Sequence, residues 1–120
     1  LFKHHKKKDA LLTLSLKKIT GGNVCHTLLV EKGKVLEYYG RNEENKGNAA
    51  FMGIFVINKK ILKDIEKNKV VFIEKEIINK YIKEGKVLGL FQEGYFSDIG
   101  TPEEYLRFIE DFKNFKDNNV

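Results

Sequence analysis

Phe96-Ser97-Asp98-Ile99-Gly100-Thr101-Pro102-Glu103-Glu104 carries the end of an apolar run directly into a helix start. Thr101 has the side chain of an N-cap, Pro102 suits the first helical position, and Glu104 stands three residues after the cap. A cap hydroxyl and an N3 carboxylate satisfy backbone N–H groups that a helix start leaves open. Proline at N1 lacks an N–H that would be orphaned there in any case. We therefore expect a strand over Tyr95 to Asp98 and a helix from Pro102. Asp98 then lies on a strand-to-helix corner, and α/β proteins place ligands at the carboxyl ends of their strands. The same residue can serve as a turn Asp that accepts from nearby backbone N–H groups. On the local residues alone the turn role is the simpler of the two.

Outward from that stretch, the helix runs to about Lys116, with Tyr105, Leu106, Phe108, Ile109, Phe112 and Phe115 on its apolar face. Upstream, Lys86 to Gln92 reads as a strand. Ile73 to Glu84 reads as a helix with Ile73, Ile77, Ile78, Tyr81 and Ile82 on one side and Gly85 as its stop. A shorter helix covers Lys59 to Lys67 behind an Asn58 cap. Ala50 to Ile57 is a nearly continuous apolar run, expected as a central strand buried on both faces. Val24 to Val30 and Val35 to Tyr39 form a hairpin around Glu31-Lys32-Gly33-Lys34. In its second strand, Tyr38 and Tyr39 should divide between core and solvent. Ala10 to Leu16 alternates as a half-buried strand does. Leu1-Phe2 reads as the last turn of a helix, so we expect the chain to be a piece of something longer. Strands alternating with helices argue an α/β fold with an inserted hairpin.

The 120 residues suffice for one domain, and nine Phe and five Tyr supply material for a core. Net charge is +5, but Lys is interspersed with Glu and Asp. That is a mixed, solvated surface rather than a nucleic-acid stripe. Lys3-His4-His5-Lys6-Lys7-Lys8 can meet phosphate or an anionic surface, or can be the exposed end of a helix with cations at its negative pole. Cys25 stands alone, which excludes a disulfide framework and a thiol metal site. Cys25 and His26 read as packing residues of the hairpin. No apolar run approaches membrane length, and no signal-peptide pattern opens the chain. We expect a soluble, reducing, cytoplasmic setting, with no nucleic acid or membrane as partner.

Phe51-Met52-Gly53-Ile54-Phe55, Ile73-Glu74-Lys75-Glu76, Val87-Leu88-Gly89 and Gly94 to Tyr105 occur here in the order found in one family. The chain resembles the C-terminal half of the sugar-1-phosphate nucleotidyltransferases, most of all the branch that handles mannose- or heptose-1-phosphate with a guanylyl donor. Asp98-Ile99-Gly100-Thr101-Pro102-Glu103-x-Tyr105 is the most specific part of the likeness. The resemblance implies a Rossmann-like α/β/α sandwich, of which residues 1–120 are the sugar-phosphate and metal side. It implies transfer of a nucleoside monophosphate from an NTP to a sugar 1-phosphate, with release of pyrophosphate. By the same resemblance Asp98 matches a catalytic, metal-binding aspartate that holds Mg²⁺ between the α-phosphate and the sugar phosphate. Gly53 matches a glycine that lets backbone approach the sugar, and Glu74 an acidic residue that bonds sugar hydroxyls.

Two departures stand out. Where the family commonly has a Glu-Lys pair after the hairpin, this chain has Tyr38-Tyr39-Gly40-Arg41-Asn42-Glu43. Arg41 can replace the Lys as a phosphate clamp or stand in solvent as a loop Arg. Phe51 occupies the place of an Asn that many members carry two residues before the glycine. The family's Gly-rich nucleotide loop and first metal aspartate have no counterpart in these residues. We therefore expect the isolated chain to be inactive without an N-terminal partner half, and capable of homo-oligomerising. The alternatives are a non-catalytic sugar-phosphate-binding or assembly module, or an inactive truncated fragment.

Overall fold

A computed structural model of the chain describes residues 1–19, 26–40, 44 and 46–117. Arg41 and Cys25 lie outside the described residues, as does the first part of the expected strand from Val24. A short helix α1 (Phe2–Lys7) leads into β1 (Leu12–Lys18), followed by β2 (Thr27–Glu31), β3 (Lys34–Tyr39) and β4 (Ala49–Ile57). A 3₁₀ turn (Lys59–Asp64), a π turn (Ile73–Ile78) and α2 (Asn79–Lys83) precede β5 (Val87–Phe91) and the long α3 (Pro102–Asp117).

The architecture is mixed α/β. Its five strands run in the order β1-β4-β2-β3-β5 and close on themselves, because β5 returns to pair in parallel with β1. The other pairings are antiparallel. The expected hairpin is present as β2–β3. Lys32 (φ 49°) and Gly33 (φ 78°) both take left-handed backbone at its tip. That two-residue loop has the twist that right-twisted strands need.

Closure changes which strand is buried. β1 was expected to be half-buried, yet Leu12, Thr13, Leu14, Ser15 and Leu16 are all buried. Leu12, Leu14 and Leu16 enter the core beside Leu28, Val35, Ile78 and Val87. Each such side chain contributes roughly 1.5–3 kcal/mol of burial. The polar face of β1 is covered as well, and its groups are satisfied. His5 Nδ1 lies 2.9 Å from Thr13 Oγ1, and Ser15 Oγ donates to Met52 Sδ at 3.2 Å. β4 reverses the expectation in the other direction. It is central in order, between β1 and β2, but Gly53 and Ile54 are exposed. The reason is a bulge. Leu14 pairs with Phe55 and Leu16 with Phe51, so Met52, Gly53 and Ile54 together face Ser15 alone. The extra residues push the strand outward at Gly53, whose φ of 71° suits glycine.

Other elements also depart from expectation. The helix expected over Ile73 to Glu84 opens as the π turn and continues as α2; its Ile77, Ile78, Tyr81 and Ile82 cap the core. The helix expected over Lys59 to Lys67 is the shorter 3₁₀ turn, with Asn58 accepting from Lys60 N as its cap. Asp64 joins the two, accepting from Lys80 Nζ at 2.7 Å and Tyr81 Oη at 2.6 Å. That bond, with burial, pushes the Tyr81 phenol up to about 12. Tyr38 and Tyr39 are both buried, because their hydroxyls find partners: His26 for Tyr38 and Glu37 for Tyr39. Residues 95–98 form no strand; they are an irregular segment leading to α3. α3 itself is placed as expected, with Glu104 N donating to the Thr101 hydroxyl at 3.2 Å. Its apolar face is partly covered: Phe108 and Ile109 are half-buried, while Tyr105, Leu106, Phe112 and Phe115 are exposed. Tyr95 meets this face, its ring tilted against Phe108 and edge-on to Phe115.

Candidate functional site

Four segments meet at a cleft of about 350 Å³: the first residue before β2, the bulge of β4, the π turn and the stretch before α3. Binding clefts for small molecules commonly start near 300 Å³. Phe51, Met52, Phe96 and Ile99 supply its apolar lining. Gly53, Glu74, Ser97, Asp98 and His26 supply the polar part. Three residues singled out in the sequence, Asp98, Gly53 and Glu74, therefore share one cavity although they come from three separate elements.

Each is placed by a local device. Gly53 sits at the crest of the bulge, and a Cβ built there would meet nothing within 4 Å. The backbone is thus bare towards open space, and left-handed φ favours keeping it glycine. Glu74 lies in the first turn of the π segment and is half-buried. Such wide turns recur at functional sites because they reset the direction of the side chains they carry. Its neighbour Glu76 is occupied otherwise: its Oε1 accepts from Phe72 N at 2.8 Å and closes the start of the turn. Asp98 is exposed, and its Oδ1 accepts from Gly100 N at 3.1 Å. The turn role is therefore real, and it does not exclude the other. The bond fixes one oxygen while the carboxylate still lines the cleft.

Sequence reasoning missed His26. Its place in the hairpin reads as packing, yet it is exposed and lines the cleft. Its carbonyl accepts from Phe51 N at 3.0 Å, extending the β2–β4 ladder towards the bulge. Its Nδ1 lies 2.6 Å from the Tyr38 hydroxyl, and the two rings stack at 24°. No local spacing announces this pair, because it forms across the hairpin. Phe51 lines the cleft with an aromatic ring where an amide was the family expectation.

Among the described residues, no group of three or more His, Cys, Asp or Glu side chains is arranged to hold a metal ion. An all-protein cage is thus not formed by them. Mg²⁺ does not require one, since it is commonly held by one or two carboxylates with phosphate oxygens and water. The exposed Asp98 carboxylate fits that pattern. No helix among the described residues is long and apolar enough to cross a membrane.

No protein-family model matches the chain. Curated relatives do. A D-glycero-alpha-D-manno-heptose 1-phosphate guanylyltransferase of Aneurinibacillus thermoaerophilus is 24% identical over 115 residues, covering 96% of this chain and 50% of the relative. A glucose-1-phosphate adenylyltransferase of Acetivibrio thermocellus is 27% identical over 111 residues, covering 84% of this chain and 26% of the relative. A crystal structure described as a glucose-1-phosphate thymidylyltransferase from Bacillus anthracis shares the fold, with a TM-score of 0.72 at 20% identity. That likeness covers 88% of this chain and 45% of the solved one. The resemblance drawn from Asp98 to Tyr105 is thus borne out, and the matches fall in the C-terminal half of the relatives. The chain spans half or less of the length of the curated relatives described here.

Proposed function

We propose that this chain, similar over nearly its whole length to sugar-1-phosphate nucleotidyltransferases, forms the sugar-phosphate and metal side of such an enzyme. The reaction joins a nucleoside monophosphate, taken from an NTP, to a sugar 1-phosphate and releases pyrophosphate. One observation carries the reading. Asp98, Gly53 and Glu74 were named from separate stretches of sequence, and all three line one cleft.

In this reading the bare backbone at Gly53 admits the sugar ring, and the Glu74 carboxylate accepts from sugar hydroxyls. Phe51 and Met52 give the ring an apolar surface. Asp98 is a ligand for Mg²⁺, and Arg41 is a candidate clamp for the phosphate. Bound Mg²⁺ supplies charge compensation to the phosphates. The protein's own work is orientation: it presents a sugar-phosphate oxygen for in-line attack on the α-phosphate, where placement and charge account for most of the rate. The nucleotide side belongs to an N-terminal half that completes a Rossmann-like α/β/α sandwich and gives the five-stranded sheet its neighbours. The exposed Tyr105 and Leu106 on α3 support the same view, since a half-length chain leaves exposed some of what the other half would cover. We place the chain nearest the mannose- and heptose-1-phosphate guanylyltransferase branch, working in the cytoplasm. The base remains a property of the other half, and the relatives named above include guanylyl and adenylyl enzymes.

The test is direct. With Mg²⁺, a panel of sugar 1-phosphates and each NTP, the isolated chain should release no pyrophosphate, while calorimetry should detect binding of a sugar 1-phosphate. Asp98→Asn should weaken Mg²⁺-dependent binding about tenfold, as loss of a charge-assisted contact does, with an unchanged circular dichroism spectrum. Turnover by the isolated chain would overturn the half-enzyme reading. Binding untouched by Asp98→Asn would remove Asp98 from the site.

A further inference from the structure

The cleft carries two carboxylates, Glu74 and Asp98, and a sugar 1-phosphate adds further negative charge. Of the described residues that line it, His26 is the one side chain able to carry a positive charge. Its backbone is pinned beside the bulge by Phe51 N, and its ring is pinned by the Tyr38 hydroxyl at 2.6 Å. Tyr38 is buried in the core, so the hydroxyl is a fixed point rather than a mobile partner. With Nδ1 engaged there, Nε2 is the ring nitrogen left for a ligand. An imidazole whose Nδ1 accepts from a hydroxyl carries its hydrogen on Nε2, and a protonated ring donates from both.

We propose that His26 is the phosphate-facing residue of this cleft, donating from Nε2 to the phosphate of a bound sugar 1-phosphate, with Tyr38 as its positioning residue. The inference rests on the sugar-phosphate reading above and assigns the group that receives the ligand's charge. It also divides the cleft by chemistry. Glu74 and Gly53 face the neutral, hydroxyl-bearing part of the ligand, and His26 faces the anionic part.

The experiment titrates the whole chain, with Mg²⁺ present, using mannose 1-phosphate, glucose 1-phosphate and free mannose, while ¹⁵N NMR follows the imidazole. Because His26 is exposed, His26→Gln should fold as the parent does. It should bind the sugar 1-phosphate roughly tenfold more weakly, the usual cost of a lost hydrogen bond to a charged group. In the parent, the sugar 1-phosphate should move the Nε2 resonance and free mannose should not. Tyr38→Phe keeps the buried ring and removes the hydroxyl. It should shift the Nδ1 resonance of the unliganded chain and weaken binding by a smaller factor, roughly threefold. Equal affinity in His26→Gln, with Asp98→Asn still impaired, would overturn the assignment of His26 and leave the cleft reading standing. Free mannose bound as tightly as mannose 1-phosphate would overturn the phosphate assignment. No binding of either sugar 1-phosphate by the parent would overturn both.

Discussion

β1 buries five consecutive side chains, Leu12 through Leu16, whereas α3 leaves Tyr105, Leu106, Phe112 and Phe115 between 49% and 61% exposed. Both segments are rich in large apolar residues and both have the period proper to their secondary structure. What separates them is cover. β1 has β4 on one side and β5 on the other, His5 of α1 and Met52 on its polar face, and shares the core cluster with Ile77 and Ile78 on its apolar face. Among the contacts of α3, Tyr95 meets Phe108 and Phe115 and donates a hydrogen bond to Asp111 at 2.8 Å. An apolar pattern fixes which face a segment will bury; what it is buried against depends on the rest of the molecule. The cleft lies between the sheet and the segment that leads into α3, with Gly53 on β4, His26 just before β2 and Asp98 ahead of the helix.

The largest effect we expect is a contrast of two truncations. Leu14→Ala removes a fully buried side chain from a closed sheet with no room to collapse, and should cost about 3 kcal/mol in chemical denaturation. Phe112→Ala removes a larger side chain that is half exposed, and should cost under about 1 kcal/mol. Comparable losses from the two would mean that α3 is packed in solution, and the contrast between the regions would fail.

A smaller effect isolates α3 itself. Thr101→Ala removes the hydroxyl that receives Glu104 N, at a usual cost of about 1 kcal/mol. With α3 loosely held, that loss should appear as faster amide exchange in its first turns, while the sheet amides keep their protection. Uniform loss of protection across sheet and helix would show that the two regions unfold as one unit. Protection lost from α3 alone would sharpen the division, and would also loosen Asp98, three residues before the cap.

How legible these regions were follows from the range of the interactions involved. The Thr101 hydroxyl cap, the Pro102 start, the hairpin turn at Gly33 and the Asn58 cap are settled within four residues, and each is present, though the hairpin loop is shorter than expected and Asn58 caps a 3₁₀ turn. The alternation in β1 correctly placed Leu12, Leu14 and Leu16 in the core. It misjudged Thr13 and Ser15, because their cover comes from His5 and Met52, residues 8 and 37 positions away in sequence. Gly53 was visible as an interruption of an apolar run, and an isolated glycine in a strand does signal a bulge. The closure of the sheet through β5 and β1, the π turn at Glu74 and the His26–Tyr38 pair carry no comparable local signal. Asp98, Gly53 and Glu74 could be named from a family pattern; that they share a cleft is a product of the fold.

The smallest effect concerns the seal of the buried sheet. His5 is buried against Thr13, and burial lowers its pKa, partly offset by the nearby Asp9 carboxylate. The unfolded chain, with an ordinary histidine near 6.5, binds the proton more readily than the folded one. Stability is then full above that value and declines as pH falls through it towards the lowered folded value. Other groups add their own pH dependence, so the comparison that isolates His5 is the difference between the parent and His5→Asn across pH 5 to 8. The advantage of the parent should shrink as pH falls, because only the parent must either exclude a proton or bury a charge beside Thr13. A constant difference would show that His5 titrates alike in both states, and that α1 covers β1 less tightly than the buried Thr13 implies. In that case α1, like α3, would belong to the loosely held part of the molecule, and the well-packed region would narrow to the strands, the 3₁₀ and π turns and α2.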